Sequence, residues 1–175
     1  MMSRGVTVTE KADSLTDAES ARMDQLKSIL SRAKEVASEY YALTGKPLGI
    51  TGEIAEEAAE KLGLTLSVAR TPFPDAELAR EGKAEKYQIK GRAVNPGLRY
   101  KGRMSGVKCN GDFEWVLLVL LNQATFDTLE IWQASREAVH ARISEPGSKA
   151  RNERYSLGIR QFKSIATRVW PGSEG

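Results

Sequence analysis

Three side chains set the chemistry to look for: Gln88, Lys90 two positions further on, and Asp75 ahead of both. The stretch Glu85-Lys86-Tyr87-Gln88-Ile89-Lys90-Gly91-Arg92-Ala93-Val94 reads as a strand. In extended backbone, successive side chains point to opposite faces, so Gln88 and Lys90 project together, about 6 to 7 Å apart, while Tyr87, Ile89 and Gly91 face the other way. An oxygen acceptor and an ammonium then share one side, and a carboxylate lies on the turn before the strand. That combination suits a phosphodiester. Cleavage needs an attacking water, a cation to neutralise charge on the transition state, and fixed geometry between them. Magnesium supplies the first two through one or two carboxylates while keeping several waters. Asp75, Gln88 and Glu53 are the candidate ligands, directly or through water, with Lys90 beside the scissile phosphate.

As a bare pattern the signal is weak. Four triplets carry Gln or Glu two residues before Lys: Gln25-Leu26-Lys27, Glu81-Gly82-Lys83, Gln88-Ile89-Lys90 and Gln161-Phe162-Lys163. The first and last sit in helical patterns, where residues two apart do not share a face, and the second lies in a loop. Gln88 and Lys90 alone have strand context. Composition narrows the field further. A single cysteine, Cys109, excludes an internal disulfide and any multi-cysteine zinc site, and a single histidine, His140, excludes dyads that need two. Acid-base or metal chemistry therefore falls to carboxylates, amides and lysines.

The elements that must hold these residues follow from periodicity. At 175 residues the chain is expected to form one domain, residues 15–170, with a disordered polar tail at 1–14 and a short tail at 171–175. Thr16-Asp17-Ala18-Glu19 fits a capping box that opens a helix over 15–43, with Met23, Leu26, Leu30, Ala33, Ala37 and Tyr40 spaced by three and four. Ile29, Val36 and Leu43 widen that stripe, which suits packing on its own domain or a homodimer contact. Thr51 is placed to cap a second helix, Gly52 to Leu62, with Ile54, Ala55, Ala58, Ala59 and Leu62 inward; Glu53 falls in its first turn, where the helix dipole favours a carboxylate. Leu64 to Arg70 alternates as a strand and Thr71-Pro72-Phe73-Pro74-Asp75 turns out of it. The strand from Lys86 to Val94 follows. Phe113 to Leu121 is a near-continuous apolar run, which marks a strand buried on both faces and hence a sheet covered by helices; Leu129 to Trp132 is its neighbour. Helices are predicted over Arg136 to Ile143 and Ser156 to Trp170. The fold class is therefore α/β, a mixed sheet flanked by helices, with a core over 50–132, an added N-terminal helix and C-terminal helices over 135–170.

Charge points to a polyanion. Net charge is +3, but residues 1–85 carry 11 basic and 15 acidic side chains against 15 and 8 in residues 86–175. Lys86 to Asn110 holds seven lysines and arginines and no acid. Arg92, Arg99, Lys101 and Arg103 are candidate DNA contacts from that run, joined by Lys149, Arg151 and Arg154 from a polar loop at 146–154. Tyr100, set between cations, offers a ring to an unpaired base. The longest apolar run, Trp115 to Leu121, is too short to span a bilayer, and Met1 to Glu10 lacks the apolar centre of a signal peptide, so a cytoplasmic location without membrane contact is expected.

These residues resemble the PD-(D/E)XK nuclease superfamily, whose restriction-endonuclease-like fold includes junction resolvases and modification-dependent restriction enzymes. The matching pattern is Pro74-Asp75, twelve residues, then Gln88-Ile89-Lys90, with Gly52-Glu53 at a helix start, and it covers roughly Ile50 to Trp132. The chain is also similar to small uncharacterised bacterial proteins that share Thr51-Gly52-Glu53, Gln88-Ile89-Lys90-Gly91 and the 147–154 segment. The resemblance implies a magnesium- or manganese-dependent endodeoxyribonuclease of restriction, repair or recombination type. Asp75 would be the main metal ligand, Gln88 the second, the backbone carbonyl of Ile89 a third, Glu53 the helical carboxylate, with Glu56 and Glu57 close in sequence left open for that place, and Lys90 the residue that orients water or stabilises the transition state. The departure is Gln88, where Glu or Asp is commoner. One negative charge is missing, which leaves two alternatives: a nuclease-fold module that binds DNA without cutting it, or a protein-interaction protein.

Overall fold

The computed structural model describes residues 17–45, 48–67, 74–98 and 100–172. The expected tail at 1–14, Thr16 of the capping box, the end of the first predicted strand at Val68-Ala69-Arg70, the turn residues Thr71-Pro72-Phe73, Arg99 and residues 173–175 lie outside them. The chain divides into two compact units, residues 1–48 and 49–175.

The first unit holds one long helix, α1 (Asp17–Thr44). It ends where Gly45 takes a left-handed φ of 67° and its N–H donates to Tyr41 O at 2.8 Å, the glycine stop that satisfies a terminal carbonyl. Leu26 of the predicted apolar stripe and Ile29, Val36 and Leu43, which widen it, are exposed, as is Tyr41.

The second unit is α/β: a six-stranded mixed sheet between helices. Its elements are α2 (Ile50–Ala59), β1 (Thr65–Leu66), β2 (Ala76–Arg80), β3 (Lys83–Val94), β4 (Trp115–Asn122), β5 (Thr128–Ser135), α3 (Arg136–Ser144), α4 (Lys149–Asn152), α5 (Ile159–Lys163) and β6 (Thr167–Trp170). Strands lie side by side in chain order, all antiparallel except β3 and β4, which run parallel. A parallel pair needs a crossover of a dozen residues or more, usually a helix. Here it is the irregular segment 95–114, which buries Met104, Val107 and Phe113 and ties itself to the chain near 156 through Met104 N to Leu157 O (3.0 Å) and Val107 N to Tyr155 O (2.9 Å).

β4 sits at the centre and is buried on both faces, as its unbroken apolar run requires. Val116, Leu118 and Leu120 enter one core with Phe113, Val139, Leu157, Ile159 and Phe162. Leu117, Val119 and Leu121 enter the other with Ala55, Ala58, Ala59, Tyr87 and Ile89. The helix of that second face, α2, lies close to the sheet because its inward side chains are alanines and its contact on β3 is Gly91. A Cβ on Gly91 would meet Thr51 O at 2.5 Å and Ala55 Cβ at 2.6 Å.

Three expectations are corrected. α2 begins at Ile50, with Gly49 rather than Thr51 at the N-cap and no side-chain cap. The segment between Asp75 and Lys86 is not a loop but a hairpin: β2 returns into β3 through Glu81-Gly82, with φ of 50° and 78°. Finally, Ser156 to Trp170 is not one helix. Only Ile159–Lys163 is helical, and Thr167–Trp170 is a strand on β5. The reason is topological. One helix would keep Phe162, Ile165, Ala166 and Val169 on one side, whereas the chain passes the sheet edge, leaving Phe162, Ile165 and Ala166 with one core and Val169 and Trp170 with the other.

Candidate functional site

The β2–β3 ladder ends at the pair Ala76 and Tyr87, and Asp75 takes over the next place along β3. Its N–H donates to Tyr87 O at 2.9 Å, and its side-chain Oδ2 accepts the Ile89 N–H at 2.7 Å, where a strand carbonyl would otherwise stand. The same oxygen accepts a hydrogen bond from Gln88 Nε2. Asp75 and Gln88, thirteen residues apart in sequence, are thus in direct contact. Two local causes produce this: the hairpin returns the chain antiparallel, and the strand alternation turns Gln88 away from Tyr87 and Ile89, both of which are buried against α2.

Lys90 follows on the same side of β3 and is half-buried. Burial pushes its ammonium below the ordinary lysine value, and the carboxylates of Asp75 and then Glu56 pull it back up. The helix carboxylate whose charge acts on Lys90 is Glu56, one of the three left open by the sequence; Glu53 is half-buried on the same helix. Thr51 and Ala55 form the row of α2 that lies on Gly91. Glu56, one residue past Ala55, is turned about 100° from that row, while Glu53 is turned about 160° from Ala55, toward the far side. The rotation of α2 decides between them, and Gly91 fixes that rotation.

Gln88 is 4% exposed, and its Oε1 is buried with no hydrogen-bond partner. A buried acceptor left unsatisfied carries a desolvation penalty of about 1–3 kcal/mol, so it calls for a partner. Beside it stands a carboxylate. One carboxylate and one amide oxygen fit magnesium or manganese at the lower limit of protein ligation, with remaining positions taken by water and phosphate. They do not form a closed cage: among the described residues no group of three or more His, Cys, Asp or Glu side chains can hold a metal ion.

The predicted DNA contacts separate into groups. Arg92 and Lys101 are exposed and line one cavity of about 610 Å³ with Tyr100. Arg103 is turned inward, its guanidinium bonded to Ser156 O and, at 3.3 Å, to Ser156 Oγ, so it fastens the crossover rather than facing solvent. Arg151 departs most from expectation. It is 7% exposed and its Nη2 donates to Glu145 O at 2.7 Å and to Pro146 O, closing the 146–154 loop from within. Lys149 pairs with Glu153 at 3.6 Å, and Arg154 is exposed. The sequence reading gave no site role to Arg160 and Lys163, which line cavities with Tyr100. Both are basic side chains of the span Ser156 to Trp170 that the sequence assigns to a helix.

A separate cavity of about 620 Å³ contains Lys108, Cys109, His140 and Tyr155 but no carboxylate. Burial pushes the Cys109 thiol up, which disfavours a reactive thiolate there. Among the described residues no helix is long and apolar enough to cross a membrane. Compared with known proteins, the chain matches no family model and no curated protein.

Proposed function

We propose that this protein is a magnesium- or manganese-dependent hydrolase of DNA phosphodiester bonds, built on a restriction-endonuclease-like core of the PD-(D/E)XK type. The observation that carries the reading is the convergence of Asp75, Gln88 and Lys90 where β2 leaves β3, with Gln88 Oε1 buried and without a partner. A bound divalent cation would supply a polarised water and charge neutralisation at phosphate. Asp75 and Gln88 would hold it, with the Ile89 carbonyl as a further ligand. Lys90 donates to a phosphate oxygen, and its partial burial strengthens that contact by excluding water. Asp75, anchored by the Ile89 N–H, holds its carboxylate in one place before any ligand arrives.

The test is incubation with supercoiled, nicked, branched and methylated DNA plus millimolar manganese. Cleavage is expected, and Asp75→Ala and Lys90→Ala each abolish it. Cleavage that survives both substitutions ends the proposal. A second reading is favoured by one specific contact. Gln88 Nε2 already donates to the Asp75 carboxylate, an arrangement that needs no metal and suits a module that binds DNA without cutting it. Calorimetry separates the two: DNA binding with no manganese uptake in wild type, and none lost in Asp75→Ala, supports the module.

A further inference from the structure

Beyond Lys90, the C-terminal end of β3, the start of the crossover and α5 enclose a basic groove with one aromatic at its middle. Three cavities of about 610, 380 and 330 Å³ all have Tyr100 in their walls. The first and third share Lys101, and the second and third share Arg160, so the three adjoin one another around the ring. None of the three is lined by an Asp or Glu. Arg92, Lys101 and Arg160 are exposed, and among the described residues no carboxylate lies within ion-pair distance of them. Arg92 lies over Gly102, its Nη2 3.7 Å from where a Cβ would be.

Lys163 plays a different part. Its Nζ bonds Glu130 at 2.7 Å and sits 4.3 Å from the Trp132 ring centroid and 5.1 Å from that of Tyr100. The ammonium is neutralised and wedged between two rings, so it holds Tyr100 in place rather than attracting a ligand.

We propose that this groove binds an unpaired nucleic-acid strand, with a base stacked on Tyr100 and phosphates on Arg92, Lys101 and Arg160. The nearby carboxylate, Glu130, is paired with Lys163, which leaves Arg92, Lys101 and Arg160, unpaired among the described residues, to attract a polyanion. The ring selects its form. Tyr100 is half-buried inside cavities of a size that takes a small ligand, so a base must leave its own stack to reach it. Bases in a duplex keep their faces against their neighbours; bases in a single strand are available. The Gln123 side chain in the same wall adds an amide for a base edge. The proposal rests on the nuclease reading for the kind of polymer, and goes beyond it in assigning the strand's state and the residues that read it.

The experiment is fluorescence anisotropy of the full chain with labelled single-stranded and duplex oligonucleotides of one sequence, in EDTA so that metal chemistry plays no part. Single strand is expected to bind more tightly than duplex. Tyr100→Ala should weaken single-strand binding by about 5- to 100-fold, the loss of one stacked base, while Tyr100→Phe keeps it. Lys101→Ala with Arg160→Ala, both at exposed positions, should flatten the log–log salt dependence by about 1.4 units. Equal binding of duplex and single strand, or full binding by both the Tyr100→Ala and the double variant, overturns the proposal. Failure of cleavage with this binding pattern intact removes the metal site and leaves the groove. Cleavage through Asp75 and Lys90 without the pattern removes the groove and leaves the metal site.

Discussion

At the scale of single residues, Gln88 decides between enzyme and binding module. Its amide N–H faces the Asp75 carboxylate and its oxygen has no partner. Gln88→Glu removes the donor and sets two carboxylates together at a buried position. Without metal, this variant should lose about 1–3 kcal/mol of stability, seen as a lowered Tm. If the pocket holds a cation, manganese should restore the Tm beyond any effect on wild type; a loss that manganese leaves untouched excludes a metal role for residue 88. Lys90 gives a prediction of opposite sign. Its folded-state pKa is lowered, chiefly by burial. Between that lowered value and 10.5 the unfolded chain binds the proton more tightly, so this residue's contribution to stability rises with pH across the window. Lys90→Met should abolish cleavage yet be as stable as wild type or more so near neutral pH, and its advantage should shrink as pH approaches 10.5. Urea titrations of both proteins at neutral pH and near pH 10 measure the difference; a Met variant that is less stable at both values would contradict it.

At the scale of elements, the helix that brings Glu56 toward Lys90 is seated on a glycine. Gly91→Ala places a methyl 2.5 Å from Thr51 O and 2.6 Å from Ala55 Cβ, and neither can rotate away because both belong to the body of α2. The expected result is a loss of about 1–3 kcal/mol, seen as a lowered Tm. A variant with unchanged Tm would show that α2 shifts freely. This contact also explains what the sequence could reveal of the site. Gln88 and Lys90 were legible because strand alternation places them from local pattern alone, whereas Asp75 came from the resemblance, since the hairpin that brings it to Gln88 was not read. The choice among Glu53, Glu56 and Glu57 depends on how α2 is rolled; its apolar stripe gives that roll and sets Glu53 opposite the sheet, but only the Gly91 contact says how far Glu56 lies from Lys90's side. The hairpin was hidden because Glu81 with Gly82 is not one of the Asn-Gly or Asp-Gly pairs that announce a turn with two positive φ values. β6 was hidden because Phe162, Ile165, Ala166 and Val169 copy a helical spacing, while the alternation Thr167-Arg168-Val169-Trp170 covers only four residues. Arg103 and Arg151 count as charges in any sequence, whether they face solvent or close a loop from within, and only the carbonyls around them tell the two apart.

At the scale of the molecule, the 49–175 unit has two cores, and β4, its most deeply buried strand, gives three leucine or valine side chains to each. β4 sends Leu118 into one and Leu117 into the other, each fully buried. Neither core can lose its packing without exposing one face of the strand that the other still holds. Unfolding of this unit should therefore be a single cooperative step. Its tryptophans make the claim measurable. Trp115 and Trp170 pack on the core that contains Leu117, whereas Trp132 packs on the core that contains Leu118. All three belong to this unit, so tryptophan emission follows it alone. Leu117→Ala and Leu118→Ala should each lower stability by about 2–5 kcal/mol and shift the same transition, with emission from variants that keep only Trp132 or only Trp115 moving together. Two separated transitions, each sensitive to just one of the leucine substitutions, would mean that the cores open independently. The site would then have the stability of the face beneath α2 alone, where Tyr87 and Ile89 are buried on either side of Gln88 in the sequence.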